Sequence, residues 1–90
     1  MDTPVFNKLI KDLCHVAGYN KQNVLTGANM PAIHERYFLY RYLKEEKQIP
    51  LLQSRWPGLQ FEPQYLQLRR RISPRLENKY KAAKKLFDSI

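Results

Sequence analysis

Ninety residues suffice for one small domain, and a hydrophobic fraction of 43% with 12% aromatic residues excludes an intrinsically disordered chain. The formal charge of +8 is unevenly distributed: residues 46–90 carry ten Lys and Arg against four Asp and Glu, whereas residues 1–45 carry six against four. A positive field concentrated in one half of the chain favours a polyanionic partner.

The single cysteine, Cys14, excludes an internal disulfide and is typical of a reducing compartment. No apolar run approaches the roughly 18 residues that a membrane-spanning helix requires, and the N-terminus has no secretory signal pattern. We therefore expect a complete, cytoplasmic protein that does not contact membranes and folds as a single domain over residues 1–90.

The first two helices are predicted from their start and stop signals. Thr3 and Pro4 suit the N-cap and the first helical position, and Gly18 suits a left-handed C-terminal cap. Asn20 is expected to cap a short helix that ends before Gly27. Between the first cap and Gly18, apolar residues recur at helical spacing: Phe6, Leu9, Ile10, Leu13, Val16 and Ala17.

The third helix is predicted to begin at Pro31 and to lie at the centre of the fold. Its sequence, AIHERYFLYRYLKEEKQ, is apolar or aromatic nearly all round, which indicates a helix surrounded by others. The hydroxyl groups of Tyr37, Tyr40 and Tyr42 could still reach solvent or a partner at the edges of this helix.

The second half of the chain predicts a helix-turn-helix followed by a last helix. The segment IPLLQSRW suits about two helical turns, Pro57-Gly58 stops them, and Pro63 begins a helix that runs to about Ile72. A β-hairpin over LQFEPQYLQL is the alternative for this region. Ser73-Pro74 opens the last helix, whose apolar stripe consists of Leu76, Tyr80, Ala83, Phe87 and Ile90. The predicted fold is all-α, a small bundle of five or six helices with a helix-turn-helix at about 49–72.

At about 100° per residue, the helix from Pro63 to Ile72 has a core side and an outer side. Arg69 is predicted at the edge of the core, where it pairs or snorkels rather than reads a ligand. The core side holds Tyr65, Leu68 and Ile72, and the outer side and its flank hold Gln64, Gln67, Arg70 and Arg71.

Glutamine and arginine on one exposed helix face are the side chains that read bases in a major groove, because Gln pairs with adenine and Arg with guanine in bidentate fashion. The predicted base contacts are Gln64, Gln67, Arg70 and Arg71. Phosphate contacts should surround them, and the candidates are Arg55, Ser73, Arg75, Lys79, Lys81, Lys84 and Lys85. A basic, solvated helix without base contacts is the alternative.

Catalytic or metal-binding chemistry has little support in the sequence. Cys14, His15 and His34 do not have the spacing of metal ligands, and no glycine-rich phosphate loop is present. We expect neither an enzyme nor a bound metal or cofactor.

Several segments resemble the DNA-binding domain of the replication initiator DnaA and its Trp-repressor-like relatives. IKDLCHVAGYNKQNVLTG is similar to the opening of that domain, ERYFLYRYLKEE with Arg36 to its long helix, QIPLLQSRWPG to its helix-turn-helix, and NKYKAAKKLFDSI to its final helix. The resemblance implies a helical architecture and binding to duplex DNA. The Gly-Arg-Asp-His-Thr-Thr segment of the family is replaced here by PGLQFEPQYLQLRRRI, so recognition of the initiator's own DNA sequence is not implied.

The sequence therefore predicts a sequence-specific double-stranded DNA-binding protein, a small transcription or replication regulator of phage or mobile-element type. The alternative is a non-enzymatic adaptor or inhibitor that binds a protein partner through the tyrosine-rich helix or the basic face. RNA binding is a third reading, and homodimerisation stays open.

Overall fold

The helices begin and end close to the capping signals in the sequence. The computed structural model describes residues 3–47, 61–71 and 73–90. They form α1 (Thr3–Ala17), α2 (Lys21–Thr26), α3 (Met30–Arg41), a π-helical turn (Tyr42–Glu46), α4 (Phe61–Arg70) and α5 (Pro74–Phe87). The prediction of an all-α bundle is confirmed, since these ranges contain no β-strand. The first helix of the helix-turn-helix predicted at about 49–72, the segment IPLLQSRW, lies entirely outside the described residues.

The corner between α1 and α2 is built by two local devices that the sequence predicts. Gly18 adopts a φ of 73°, the left-handed conformation that ends α1. Asn20 caps α2, because its side chain accepts a hydrogen bond from the backbone N–H of Asn23 at 2.9 Å. Val24 of α2 is then fully buried, with 0% of its surface exposed. The two helices therefore meet through apolar side chains.

The third helix, α3, is the central one, as predicted. Asn29 caps it through a 2.9 Å hydrogen bond from the Ala32 N–H, and every residue from 36 to 43 is buried. α3 packs against α2, α4 and α5. The aromatic residues that surround its axis are thus covered by neighbouring helices on several sides.

Burial of α3 corrects one expectation about the tyrosines. Tyr37, Tyr40 and Tyr42 are only 2%, 3% and 1% exposed, so their rings belong to the core and are not available to dock a partner. The hydroxyl of Tyr42 donates to Asp88 at 2.7 Å, and that of Tyr37 accepts from Arg41 at 3.3 Å. The polar ends of these side chains serve internal contacts, because a buried hydroxyl needs a hydrogen-bond partner.

Arg36, on the contrary, is a buried polar residue that the sequence analysis did not assign to the core. It is 4% exposed, and its Nε donates to the Val24 carbonyl at 2.8 Å while Nη2 donates to the Gly27 carbonyl at 2.6 Å. The guanidinium group thereby pairs carbonyls at the end of α2 that the helix itself leaves without partners. Arg36 fastens the loop between α2 and α3.

The last two helices cover α3 and α1. α4 begins at Phe61, two residues before Pro63, and α5 begins after Ser73, whose hydroxyl accepts from the Leu76 N–H at 3.3 Å. The predicted stripe on α5 is buried at Leu76, Tyr80, Ala83 and Phe87. The prediction is wrong for the last residue of the stripe, Ile90. α5 ends at Phe87, so Ile90 lies beyond the helix and is 57% exposed.

Substitution of Gly18 should expose the cost of its backbone conformation. A Cβ at position 18 would meet nothing within 4 Å, so Gly18→Ala creates no clash and acts through the positive φ alone. We expect a loss of about 1 kcal/mol in the free energy of unfolding, and a smaller loss for Gly18→Asn, because asparagine tolerates the left-handed region. Urea denaturation measures both, and an alanine variant as stable as the parent would contradict the assignment.

Arg36→Met should destabilise the α2–α3 connection. The substitution keeps an apolar stem of similar length but removes both donors, which leaves the buried carbonyls of Val24 and Gly27 unpaired. We expect the free energy of unfolding to fall by roughly 2 kcal/mol, with a smaller loss for Arg36→Lys. The matched control, Lys11→Met, removes an exposed cation from α1 and should change little. Equal effects at positions 36 and 11 would contradict the role of Arg36.

Candidate nucleic-acid interface

α4 has a buried inner side and a polar outer side, as its helical spacing predicts. Tyr65 and Leu68 are 8% and 9% exposed and pack into the core, whereas Gln67 and Arg70 are exposed. Arg71 follows the last helical residue and is exposed as well. Gln67 and Arg70 are three residues apart, so they lie on one face of the helix.

Two further predicted contacts cannot be placed in the same way. Gln64 belongs to α4, but its side chain lies outside what the structure describes, and Arg55 lies outside the described residues altogether. The same holds for Ile72, the third predicted core residue of this helix. The described part of the predicted face therefore consists of Gln67 and Arg70 on α4, and the exposed Arg71 follows just after the helix ends.

The three consecutive arginines differ in their surroundings. Arg69 Nε donates to Glu45 Oε2 at 3.2 Å, an interhelical ion pair that confirms the prediction that Arg69 pairs, although its side chain remains 44% exposed. This hydrogen bond raises the pKa of Arg69. Within the described ranges, Arg70 and Arg71 make no such ion pair, so their guanidinium groups are available to an external anion.

Glu45 also accepts a hydrogen bond from Tyr65, the buried tyrosine of α4. The hydroxyl of Tyr65 donates to the same Oε2 atom at 2.8 Å. Burial and this hydrogen bond raise the pKa of Tyr65 to about 12, so the hydroxyl stays protonated and remains a donor at neutral pH. One carboxylate oxygen on the extension of α3 therefore contacts two side chains that lie one turn apart on α4.

Arg41 connects this contact to α5. It is 7% exposed, its Nη1 donates to Glu77 Oε1 at 2.7 Å, and its Nε lies 3.3 Å from Glu45 Oε2. The contact with Glu45 is an ion pair without hydrogen-bond alignment at Nε. The guanidinium carbon also lies 3.9 Å from the ring centroid of Tyr80, a cation–π contact. Burial opposes the charge, but the bond to Glu77 and the neighbouring Tyr37 and Glu45 outweigh it and raise the pKa of Arg41.

Arg41 was not among the predicted core or site residues, although the sequence around it carries a signal. An arginine inside a helix that is otherwise apolar nearly all round has to be buried and paired, and Glu45 follows it at the i,i+4 spacing. The partner on α5, Glu77, is 36 residues away along the chain, and no local pattern points to it.

The predicted phosphate contacts on α5 divide into exposed and paired side chains. Lys84 forms an ion pair with Glu46 at 3.4 Å and faces the extension of α3. Ser73 is engaged as the N-cap of the helix. The other candidates, which are exposed, are Arg75, Lys79, Lys81 and Lys85. Lys81 and Lys85 are one turn apart, as are Arg75 and Lys79, so the exposed charges form two short rows on α5.

Other reactive side chains lie near the α1–α2 corner. Cys14 is 2% exposed, and burial raises the pKa of its thiol to about 11, so little of the nucleophilic thiolate exists at neutral pH. It borders an open surface depression lined by Lys11, Asp12, His15, Tyr19 and Lys21. In the part of the chain that the structure describes, no three His, Cys, Asp or Glu residues gather as a metal site. No helix among these residues is long and apolar enough to cross a membrane.

Comparison with known proteins gives no relative: the chain matches no protein-family model, no curated protein and no solved structure. The resemblance of its segments to the DnaA and Trp-repressor-like domains therefore stays a prediction. Function has to be inferred from the charge and geometry of the described side chains.

Glu77→Gln tests the contact between α3 and α5 through its pH dependence. The bond from Arg41 lowers the pKa of Glu77 below the ordinary 4.5, so ionised Glu77 stabilises the fold at neutral pH and this contribution is lost as the pH falls through the lowered pKa. We expect the substitution to reduce the free energy of unfolding by roughly 1.5 kcal/mol at pH 7. The reduction should shrink below pH 4.5, as measured by urea unfolding between pH 7 and pH 3.

The control for this experiment is Asp12→Asn. Asp12 pairs with Lys8 at 3.2 Å on the surface of α1, where the two side chains are 41% and 78% exposed. An exposed pair of this kind contributes at most about 0.5 kcal/mol, so the control should change stability little at either pH. A cost of Glu77→Gln that is the same at pH 3 and pH 7 would contradict the contact.

Proposed function

We propose that this protein is a small, non-enzymatic regulator that binds double-stranded DNA in a sequence-specific manner, in transcription or replication and of phage or mobile-element type. In this proposal α4 is the recognition helix of a helix-turn-helix whose first helix is the segment IPLLQSRW at about 49–56. Gln64, Gln67, Arg70 and Arg71 contact bases. The surrounding Arg55, Ser73, Arg75, Lys79, Lys81, Lys84 and Lys85 contact phosphates.

The observation that carries the proposal is the division of α4 into a fixed inner side and an exposed Gln/Arg side. Tyr65 and Leu68 are buried, and Arg69, although 44% exposed, pairs with Glu45, while Gln67 and Arg70 of α4 and the following Arg71 are exposed. A helix that is held on one side by packing and an ion pair presents its other side at a defined angle. Base readout requires this, because bidentate bonds to guanine or adenine depend on orientation.

The exposed charges of α5 support the same proposal. Four side chains are exposed on α5, which begins four residues after α4 ends: Arg75, Lys79, Lys81 and Lys85. Cations that flank a recognition helix fix its register on the duplex through phosphate contacts. The +6 balance of residues 46–90 also steers a polyanion towards this half of the chain.

Two observations favour duplex DNA over the alternatives. Tyr65, the aromatic residue four positions before Arg69, is buried, so its ring is not available for stacking on an unpaired base, as single-stranded RNA binding would use. The tyrosine-rich helix is buried too, so an adaptor that binds a protein partner would have to use the basic face. Leu66, 41% exposed beside Gln67, suits contact with a thymine methyl group.

The decisive experiment is a competition for a fluorescent duplex at low salt. Unlabelled duplex DNA, single-stranded DNA and structured RNA of equal length compete, and the proposal expects the duplex to compete best. The logarithm of the affinity should fall linearly with the logarithm of salt concentration, by about 0.9 per phosphate contact. Absence of duplex binding at low salt would refute the proposal.

Arg71→Ala and Lys81→Ala should affect binding in different ways. Using a duplex selected by the wild-type protein from a randomised pool and a scrambled duplex of the same composition, Arg71→Ala should cost about 1–3 kcal/mol on the selected duplex alone. Lys81→Ala should weaken both duplexes alike and reduce the salt slope by about 1. Anisotropy titrations measure both affinities.

The matched control is Lys8→Ala, which removes one exposed positive charge from α1. It should leave the preference for the selected duplex unchanged. The proposed base contact of Arg71 would be wrong if Arg71→Ala lowered the affinity for the two duplexes equally.

A further inference from the structure

Glu45 occupies an unusual position in the backbone. It lies in the π-helical turn that extends α3, where the N–H of Lys47 bonds to the carbonyl of Tyr42, five residues earlier, at 3.2 Å. A single π turn inside a helix is rare and is frequent at functional sites. Because this turn is wider than an α-helical turn, it rotates the side chains that follow relative to the register of α3. It therefore helps to determine which neighbouring helix Glu45 faces.

One oxygen atom of Glu45 collects contacts from two helices. Its Oε2 accepts from the Tyr65 hydroxyl at 2.8 Å and from Arg69 Nε at 3.2 Å, and it lies 3.3 Å from Arg41 Nε. Tyr65 and Arg69 are four residues apart, so they lie one above the other along α4. Two attachments at different heights on the same side of a helix restrict both its rotation and its sliding.

The rotation of a recognition helix about its own axis determines which of its side chains face the bases. If α4 rotated about its axis by one residue, about 100°, Arg70 would take the place of Arg69. Gln67 and Arg70 would then no longer face the side of the molecule that they now face. The apolar inner side resists such a turn only through Tyr65 and Leu68 among the described side chains. The contacts at Glu45 add a directional restraint, since hydrogen bonds weaken steeply when they are misaligned.

The restraint is itself anchored to the rest of the bundle. Arg41, one turn before Glu45 on α3, holds Glu45 on one side and Glu77 of α5 on the other. α5 carries the exposed cations Arg75, Lys79, Lys81 and Lys85. The same group of charges therefore relates the orientation of α4 to that of α5.

We propose that Glu45 is a positioning residue that sets the rotation of α4, and through it the aim of Gln67, Arg70 and Arg71, without touching nucleic acid. The inference rests on the proposed function for its consequence in binding, but its structural part concerns α4 alone. A carboxylate near a DNA-binding face repels phosphate, so its presence there needs a reason other than contact with the ligand. Holding the helix supplies that reason.

Glu46 provides a matched control for the experiment. It is the next residue, carries the same charge and pairs with Lys84 at 3.4 Å rather than with α4. Glu45→Ala and Glu46→Ala each raise the net charge by one, so each should strengthen non-specific attraction to DNA equally. A difference between the two variants then reports the contacts of Glu45 with α4 and with Arg41, and Tyr65→Phe, which leaves the contact with Arg41 in place, isolates the contact with α4.

The first measurement is amide hydrogen exchange by NMR without DNA. Glu45→Ala should accelerate exchange in α4, at residues 65–70, by roughly tenfold relative to α5 at residues 79–85. Glu46→Ala should not change this ratio. Tyr65→Phe, which removes one of the bonds without changing charge, should give a smaller acceleration and serves where Glu45→Ala does not fold.

The second measurement compares affinity for the selected and the scrambled duplex. Glu45→Ala should lower their ratio by roughly tenfold, whereas Glu46→Ala should strengthen both and keep the ratio. Glu45→Gln, which keeps an acceptor oxygen, should recover part of the ratio.

The outcomes separate the two ideas. Equal exchange in α4 for the position-45 and position-46 variants would overturn the positioning role, whether or not DNA binds. A loosened α4 with an unchanged duplex ratio would show that the restraint does not serve recognition. A wild-type protein without duplex affinity would refute the proposed function, while the exchange ratio would still decide whether Glu45 holds α4.

Discussion

A buried guanidinium group needs hydrogen-bond acceptors or negative charges close to it. The contacts that Arg41 makes for this reason connect α3 and its extension with α5. Arg41 lies in the core between the carboxylates of Glu45 and Glu77, over the ring of Tyr80. Leaving such a charge unpaired in the interior costs several kcal/mol, so α3 and α5 have to stay at the distance and angle that keep these partners in place. Because Glu45 also binds two side chains of α4, the third helix is included in the same constraint.

This constraint bears on function through the different surroundings of neighbouring arginines. All three side chains are exposed, but Arg69 pairs with Glu45, whereas Arg70 and Arg71 make no ion pair within the described residues. A basic run in which every member pointed into solvent would attract any polyanion alike. In the proposed function, the pairing of Arg69 restrains the rotation of α4 and so the direction of the neighbouring Arg70, which base discrimination would require. In the proposed function, the exposed lysines of α5 contact phosphate groups, which are recognised mainly by charge.

Local signals predicted the helical framework well. The left-handed Gly18, the side-chain caps at Asn20 and Ser73, and the stripe from Leu76 to Phe87 depend on neighbours within one or two turns. Two predictions were wrong, because a local pattern shows neither where a helix ends nor which distant helices cover it. Ile90 fits the spacing of the stripe, but α5 ends before it. The tyrosines of α3 looked able to reach a partner, yet their rings are enclosed by helices distant in sequence.

By itself the sequence determined an all-α chain, the approximate ends of its helices, the basic second half and the prediction that Arg69 pairs. These follow from period, capping and charge, which act over a few residues. Only the tertiary structure decided that Arg36 bonds to carbonyls of the preceding helix and loop, and that Arg41 pairs with Glu77, 36 residues further along the chain. It also decided that Glu45 faces α4. The physical reason is that an ion pair is specified by distance and direction in space, and packing brings together groups whose separation along the chain carries no periodic signal.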